Sequence, residues 1–371
     1  MKTSSPLTFM TTIFRGRRGK LAADLEGAGW DALVVSHLPN VLYLTGFSGS
    51  SGMVVTGSSG TTLFTDGRYA VQARELEGGC RVRIVRGALL DGVAAHLQAI
   101  GARRVAFEAS HLTVSQNAAL KKRTGSKAVR KWGATTGVVE KLRARKDAVE
   151  ITKIRAAAAV ACKALALVLP MVKPGVREVE VAAEIEYLMR RNGAAGPSFE
   201  TIVASGPRTA LPHARPTSRK LRRNELVVLD LGAILDHYCS DLTRTVYLGK
   251  PPRRLAEWHR AVGEAHQAAV AALRPGVTGA QVDLAARETL RKHRLDRLFV
   301  HSCGHGLGLE IHEEPRLARN IETPLEAGNV VTIEPGVYLE GTGGIRIEDD
   351  YLVTDRGSER LTRTCSDIFQ H

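Results

Sequence analysis

A helical segment that ends at a Pro-Gly-Val step and leads into a second helix occurs twice in this chain. The first step lies in Lys173–Val176 and the second in Arg274–Val277, 101 positions further on. The second helix of each copy carries a valine at the matching place, Val181 and Val282. Repetition of such a unit predicts two copies of a helix pair with its strands, which is a duplicated α+β domain.

The first third of the chain has a different pattern, in which short apolar runs alternate with helical segments. The apolar runs lie at 32–35, 42–44, 54–55 and 61–64, and the helical patterns at 16–28, 69–77 and 89–99. This alternation predicts an α/β domain with a sheet flanked by helices. A charged segment separates the two parts, so we predict an N-terminal domain at 1–138, a linker at 139–153 and the duplicated domain at 154–371.

Composition narrows the class of protein. Hydrophobic residues make up 44% of the chain and charged residues 24%, as in ordinary globular proteins. No apolar run is long enough to predict a membrane span. The net charge of +14 suggests nucleic acid as a partner, but the basic residues are scattered and aromatic residues are only 5%, so stacking platforms are scarce. We therefore do not expect nucleic acid as a partner.

The cysteines and the N-terminus bear on location. The five cysteines are scattered, without a Cys-x-x-Cys pair, which argues against a disulfide scaffold and a thiolate zinc site. The first residues lack the continuous apolar core and cleavage site of a secretory signal. These features favour a cytoplasmic protein.

Each copy of the repeat carries two carboxylates inside apolar strand patterns. In the first copy, a hairpin turning between Leu235 and Asp236 places Asp230 directly opposite Asp241. Two carboxylates this close repel and lose hydration, so they need a cation between them or a proton on one of them.

The second copy repeats this arrangement. Glu334 and Glu348 are centred on residue 341, inside a glycine-rich turn, so we expect them to face each other. Four converging carboxylates provide the hard oxygen ligands that two divalent cations require.

Histidines accompany these carboxylates. His305 lies between Gly304 and Gly306, which allow close backbone approach to a metal or substrate. His312 follows seven residues later, and His213 precedes His312 by 99 positions, close to the repeat spacing. These two histidines are therefore expected on either side of one site.

A simpler interpretation exists for each residue by itself. A buried aspartate often pairs with an arginine, and Arg244 and Arg346 are available, while a single histidine after proline is often a loop residue. The occurrence of all these residues together, symmetric about a repeat, favours a metal site.

With these residues in place, the sequence resembles the pita-bread metallopeptidases, on the branch of the Xaa-Pro aminopeptidases and Xaa-Pro dipeptidases (prolidases). The matching stretches are 230–233 (DLGA), 240–245 (SDLTRT), 304–313 (GHGLGLEIHE), 334–338 (EPGVY) and 346–350 (RIEDD). Two more, 43–50 (YLTGFSGS) and 65–69 (TDGRY), resemble the creatinase-type N-terminal domain. The resemblance covers nearly the whole chain and implies a creatinase-like α/β domain followed by a pita-bread domain.

The resemblance implies two divalent metal ions, most often manganese, with cobalt or zinc as substitutes. Carried over by position, Asp230 chelates one metal, Asp241 and Glu348 bridge both, and His305 and Glu334 bind the second.

The same resemblance implies the remaining roles. Glu334 is the general base, and His213 and His312 stabilise the tetrahedral intermediate and hold the substrate. Thr243 and Arg346 lie beside the ligands and contact either them or the substrate; for Arg346 we favour the ligands.

The implied reaction is hydrolysis of the bond between an N-terminal residue and a following proline, by a homodimer. We favour a proline-specific aminopeptidase, with a dipeptidase restricted to Xaa-Pro dipeptides as the alternative. A dipeptidase must capture the free carboxylate of its substrate, for which Arg346 or Arg215 is available. A third alternative, a non-enzymatic binding protein on this fold, is disfavoured by the complete ligand set.

One position departs from the family pattern. His237 stands where many relatives carry glycine. It lies at the tip of the predicted hairpin, so we expect it away from the metals.

Overall fold

The computed structural model describes residues 6–76, 79–363 and 369, with residues 6–10 described by their backbone alone. The chain divides into two compact units, Met1–Arg143 and Ala144–His371. Each unit has its own sheets and its own apolar core.

The N-terminal unit is a six-stranded mixed sheet with helices packed against it. Its strand order is β4-β3-β2-β1-β5-β6, and β1, β5 and β6 are parallel neighbours. This is the predicted α/β class. The elements are α1 (Pro6–Gly27), β1 (Ala32–Val35), α2 (Leu38–Thr45), β2 (Gly52–Gly57), β3 (Gly60–Asp66), α3 (Ala70–Arg74), β4 (Arg81–Val85), α4 (Leu89–Ala99), β5 (Arg104–Glu108), α5 (Val114–Thr124), β6 (Lys131–Thr135) and α6 (Val138–Ala144).

One apolar run of this unit is helical where we expected a strand. Leu42–Leu44 lies in α2, which has Pro39 in its first turn and ends at Gly46, with φ of 79°. Proline suits the first turn of a helix, and glycine adopts the left-handed conformation that closes one. A three-residue apolar run is too short for its periodicity to distinguish a strand from a buried helix.

The C-terminal unit consists of two helix pairs that pack on antiparallel sheets. The main sheets have the orders β12-β9-β8 and β14-β13-β15-β18-β19. The elements are α7 (Ala148–Val168), α8 (Glu178–Arg191), β7 (Gly196–Pro197), β8 (Ile202–Ser205), β9 (Leu226–Leu231), β10 (Ala233–Leu235), β11 (Tyr238–Cys239), β12 (Leu242–Tyr247), α9 (Arg253–Ala272), α10 (Gly279–Lys292), β13 (Gly304–Gly306), β14 (Glu313–Leu317), β15 (Val330–Ile333), β16 (Gly336–Leu339), β17 (Gly343–Arg346), β18 (Asp349–Thr354) and β19 (Gly357–Arg360).

The predicted duplication is present in this unit. Gly175 and Gly276 occupy matching turns with φ of 97° and 84°. Their amides donate to the carbonyl oxygens of Leu221 and Leu325 at 2.9 and 2.8 Å. Each copy therefore connects the two helices of its pair through the same turn, and each has its own apolar core.

The predicted linker at 139–153 is largely helical. It contains most of α6 and the first part of α7. Asp147 caps α7 by accepting hydrogen bonds from the amides of Val149 and Glu150, and the Glu150 side chain accepts from the amide of Asp147. This reciprocal capping box starts the helix inside the charged segment.

One helical segment passes the length and composition test for a membrane span, contrary to our expectation from the sequence. It is Ala148–Met171, with a mean hydropathy of 1.7. Half of its most apolar 18-residue stretch is buried inside the protein. Ala161, Leu165 and Val168 belong to the core formed with α8 and β9, so packing in the protein accounts for the apolar composition.

The cysteines differ in state. Cys80, Cys239 and Cys303 are free thiols, whereas Cys162 is disulfide-bonded. Cys365 lies outside the described residues. The sequence argument against a disulfide scaffold did not anticipate the bond at Cys162.

Candidate metal centre

The first pair of carboxylates lies on the hairpin formed by β9 and β12. Asp230 faces Thr243 rather than Asp241, so the predicted register was wrong. The turn is formed by Asp236 and His237, both with positive φ, one residue beyond the predicted position. Because side chains on a strand alternate between faces, Asp241 still shares the face of Asp230 as its diagonal neighbour.

The second pair lies where two short strand pairs adjoin. β15 pairs with β18, and β16 pairs with β17, in one continuous register. Glu334 lies between β15 and β16, Glu348 lies between β17 and β18, and the register places the two glutamates opposite each other. The strand predicted at 330–336 is interrupted at Pro335, which has no N–H for a β-ladder. An isolated β-bridge between Thr243 and Glu348 brings the two copies of the repeat together.

His305 on β13 directs one ring nitrogen at the carboxylates. Its Nδ1 lies 3.0 Å from the carbonyl oxygen of Gly306, which can only accept, so Nδ1 carries the proton. Nε2 lies 3.7 Å from Asp241 Oδ2 and 3.5 Å from Glu334 Oε1. Ligand atoms of Asp241, His305 and Glu348 all lie within 4.8 Å of one another, which suits a shared cation.

The glycines beside His305 have a different role from the one predicted. A Cβ at Gly304 would lie 2.0 Å from the carbonyl oxygen of Thr332, and one at Gly306 would lie 2.3 Å from that of Glu314. These glycines allow β13 to fit between its neighbouring strands. The sequence alone predicts a different role, close backbone approach to a metal or substrate.

Burial and mutual repulsion change the pKa values of the centre. Burial, followed by the charges of neighbouring carboxylates, raises the pKa values of Asp241 and Glu348 well above their usual range. Burial raises the pKa of Glu334 to about 7, although Arg346 opposes the shift. Burial lowers the pKa of His305 to about 4. The centre thus disfavours four ionised carboxylates unless additional positive charge is present.

A hydrogen-bond network holds the carboxylates in place. Arg346 Nη2 donates to Asp230 Oδ2 at 2.5 Å, Nη1 donates to Tyr338 Oη at 2.7 Å, and Nε donates to Thr243 Oγ1 at 3.1 Å. Thr243 Oγ1 donates in turn to Glu348 Oε2 at 2.5 Å. Arg346 and Thr243 therefore contact the carboxylates, the first of the two roles considered for them.

These carboxylates form one wall of a cavity of about 600 Å³ within the C-terminal unit. His213 and His312 line the same cavity from exposed positions, and the His312 ring packs edge-on against His305 with centroids 4.4 Å apart. His301 also lines it, with Nε2 2.9 Å from Tyr338 Oη. The structure thus brings both predicted histidines to one cavity.

Two further arginines line the cavity, and they differ in their partners. Arg215 Nε lies 2.9 Å from Glu200 Oε2. Arg316 is exposed, four residues after His312, and its guanidinium has no carboxylate partner among the residues that the structure describes. Arg316 is therefore available to bind an anionic group.

The loop that carries His213 is tied at both ends by one buried carboxylate. Glu178, in the first turn of α8, accepts hydrogen bonds from the amide and hydroxyl of Ser205 at 2.9 and 2.7 Å. It also accepts from the amide and hydroxyl of Thr217 at 3.0 and 2.7 Å. Glu178 thereby closes the loop at 206–216.

Comparison with known families identifies this arrangement. The model of metallopeptidase family M24 matches residues 152–355, and that of the creatinase/prolidase N-terminal domain matches residues 17–145. The chain belongs to metallopeptidase family M24. It is therefore an enzyme, with a pita-bread catalytic domain after a creatinase-type N-terminal domain.

Relatives of this M24 metallopeptidase match it over nearly their whole length. The Xaa-Pro dipeptidase of Pyrococcus horikoshii is 38% identical over 347 residues, 93% of this chain and 96% of that protein. The structure of an Xaa-Pro dipeptidase from Bacillus anthracis has a TM-score of 0.92 and 36% identity, covering 96% of this chain and 100% of that one. The X-Pro aminopeptidase from Thermotoga maritima has a TM-score of 0.88 and 35% identity, with the same coverage.

The donor set of this M24 metallopeptidase fits the two divalent metal ions that the family uses. Four carboxylates converge with one imidazole, and Arg346 offsets only one of the four negative charges. Asp230 Oδ1 is buried and has no hydrogen-bond partner among the described residues. Buried oxygens are rarely left in that state, and a cation provides the missing partner.

The sequence alone did not identify several residues around the centre. His301 lies four residues before His305, and Arg316 lies four residues after His312. This short spacing from predicted site residues could have indicated both of them. Tyr338 lies inside a matched stretch, but its contacts follow from the fold. Glu178 gave no signal, because a glutamate in the first turn of a helix is common for electrostatic reasons.

Proposed function

We propose that this M24 metallopeptidase is an Xaa-Pro dipeptidase. The sequence alone favours a proline-specific aminopeptidase, with the dipeptidase as the alternative. The relatives support the alternative better, since Xaa-Pro dipeptidases match this chain at 36–38% identity over more than nine-tenths of its length.

The observation that carries this proposal is the position of Arg316 on the cavity wall. A dipeptide ends in a carboxylate directly after its proline, and arginine binds carboxylates through charge-assisted, often bidentate, hydrogen bonds. The two arginines considered from the sequence are less suited, since Arg346 is bound to Asp230 and Arg215 is paired with Glu200. We therefore assign Arg316 to the substrate carboxylate.

The cavity also offers an apolar surface for the proline ring. Phe199, Ile202 and Ile311 line it. A peptide bond to proline has no N–H, so an apolar wall there leaves no donor unsatisfied. This combination favours substrates with proline in the second position.

Five residues would hold the metal ions: Asp230, Asp241, His305, Glu334 and Glu348. The metal ions supply Lewis acidity and lower the pKa of water. We propose manganese, because oxygen ligands predominate and Mn²⁺ suits them, with cobalt or zinc as substitutes.

Side chains of this protein would transfer the proton of the attacking water and stabilise the negative charge that develops on the carbonyl oxygen. We assign Glu334, at the cavity surface, to accept the proton of the attacking water and deliver it to the proline nitrogen. His213 and His312 would donate hydrogen bonds to the carbonyl oxygen as it gains charge.

The carboxylate assignment is tested with an Xaa-Pro dipeptide and its C-terminal amide, which lacks the negative charge. In Arg316→Gln we expect kcat/KM for the dipeptide to fall about 10–100-fold, since a hydrogen bond to a charged group contributes about 1.5–3 kcal/mol. The same change should have little effect on the amide, and Arg215→Gln serves as the matched control. An equal loss on both substrates would contradict the assignment.

The second candidate function is an Xaa-Pro aminopeptidase, which the Thermotoga maritima structure favours. An aminopeptidase accepts peptides that continue beyond the proline, so it does not need to bind a carboxylate on the proline itself. Release of the first residue from peptides longer than two residues distinguishes it from the dipeptidase.

Two further expectations remain proposals. We propose a homodimer, on the family resemblance, and a cytoplasmic location. Sedimentation of the full chain tests the first, and fractionation of the source cells tests the second.

A further inference from the structure

Two histidines and a glutamate lie together at one edge of the N-terminal sheet. His37 follows β1, His111 follows β5, and Glu140 lies in the first turn of α6, shortly after β6. These three strands are parallel neighbours, so the loops after their carboxyl ends meet at the same edge. In open α/β sheets that edge is where ligands bind.

The three side chains have the spacing of metal ligands. One ligand atom from each lies within 4.8 Å of the other two. His37 Nδ1 is 3.8 Å from Glu140 Oε1, and His111 Nε2 is 3.7 Å from the same oxygen. Ligands bound tetrahedrally to zinc at about 2.0–2.1 Å are separated by roughly 3.4 Å. The two histidine-to-glutamate distances exceed this separation by a few tenths of an ångström, and one nitrogen of each histidine lies within 4.8 Å of the other, so side-chain movements bring the three ligand atoms within range of one ion.

The surrounding residues hold this cluster in place. Glu108 Oε2 accepts a hydrogen bond from the amide of His37 at 2.8 Å, which fixes the turn after β1. Asn40 Nδ2 donates to Glu140 Oε1 at 2.6 Å, and Arg143 Nη1 donates to Asn40 Oδ1 at 2.7 Å. Contacts of this kind orient the ligands of a metal site before the ion binds.

The two imidazoles stack on each other, which bears on their protonation state. Their rings are parallel within 6°, with centroids 3.6 Å apart. Two protonated rings at that distance repel each other, so the stack favours at least one neutral ring, the form that binds metal. Convergence on one ion requires the rings to tilt about their Cβ–Cγ bonds, which is a soft torsion.

We propose that His37, His111 and Glu140 form a third metal site, which binds a cation of the zinc class. Imidazole ligands suit Zn²⁺, Ni²⁺ and Cu²⁺, whereas the carboxylate-rich metal centre suits Mn²⁺. The bound ion joins the loops after β1 and β5 to the first turn of α6, and one ligand position remains for water or another donor. This site uses no residue of the metal centre.

The test counts metal on the full chain. Protein saturated with Mn²⁺ is incubated with Zn²⁺, separated from free metal, and analysed for total manganese plus zinc per chain. His111→Phe keeps an aromatic ring beside His37 but offers no nitrogen, and Glu140→Gln keeps an oxygen for Asn40. His293→Gln is the matched control, because His293 pairs with Glu264 at 2.7 Å outside both ligand clusters found among the described residues.

We expect about three metal ions per chain in the wild type and in His293→Gln, and about two in His111→Phe and Glu140→Gln. A wild type with two metal ions, or variants with the wild-type total, would overturn the proposal and leave the cluster as an ion pair. The count does not depend on peptidase activity, so its outcome is independent of the proposed dipeptidase function.

Discussion

Thr243→Val is expected to weaken metal binding without removing a ligand. The buried hydroxyl donates to Glu348 Oε2 and accepts from Arg346 Nε, and valine has the same shape without either bond. A hydrogen bond to a charged group contributes about 1.5–3 kcal/mol. If the bond to Glu348 is needed to orient that carboxylate, metal affinity falls by about 10–100-fold, the usual effect of losing such a contact.

The assay is competition between the protein and a chelator of known Mn²⁺ affinity, with Thr245→Val as the control. Thr245 is also buried, and its hydroxyl accepts from the amide of Arg346 and donates to its carbonyl oxygen, each at 3.0 Å. Both variants should lower the free energy of unfolding, but only Thr243→Val should weaken Mn²⁺ binding. Equal losses of affinity in the two variants, or none in Thr243→Val, would refute the reasoning.

Four further predictions concern the same centre. Asp241→Ala should abolish both activity and metal binding, and full metal occupancy in that variant would contradict its proposed role as a metal ligand. His312→Ala should lower kcat with metal content intact; loss of metal would make His312 a ligand. Glu178→Gln should lower kcat/KM through the loop that carries His213, with metal content unchanged, and an unchanged kcat/KM would exclude that positioning role. In thermal melts the metal-free protein should lose stability as pH rises from about 6.5 to about 7, because the folded state still holds the proton of Glu334 while the unfolded state has released it; below about 6.5 the lowered pKa of His305 acts in the opposite direction, and bound metal should remove this dependence.

The duplicated domain and its carboxylates could be predicted because both depend on local pattern. The two Pro-Gly-Val steps mark equivalent turns, and the structure gives both glycines a positive φ and the same type of hydrogen bond. Burying a carboxylate inside an apolar strand costs free energy unless the carboxylate has a partner. Asp230 and Glu334 therefore indicate a functional site, whichever strands they pair with. Successive side chains on a strand point to opposite faces of the sheet, so the face on which each carboxylate lies could also be predicted.

The details that could not be predicted depend on turns and tertiary contacts. The turn at Asp236 and His237 shifts the hairpin by one residue, and nothing in the sequence identifies His237 as a residue with positive φ. Glu178 closes a loop whose two ends lie 27 and 39 positions along the chain from it. Such contacts follow from packing, which local pattern does not encode.

The histidine cluster of the N-terminal unit illustrates the same limit. His37 and Glu140 are more than 100 positions apart, and His111 lies between them. Only the parallel order of β1, β5 and β6 brings the three together. Neither spacing nor composition predicts that order, so the cluster was visible only in the folded chain.

Hydrolysis of two peptides by Mn²⁺-loaded protein tests the central claim most directly. One substrate is an Xaa-Pro dipeptide, and the other is a longer peptide that begins with the same two residues. A metal-dependent Xaa-Pro dipeptidase cleaves the first, leaves the second intact, and is inactive after chelation. Release of the first residue from the longer peptide, or no cleavage of either substrate with metal bound, would contradict it.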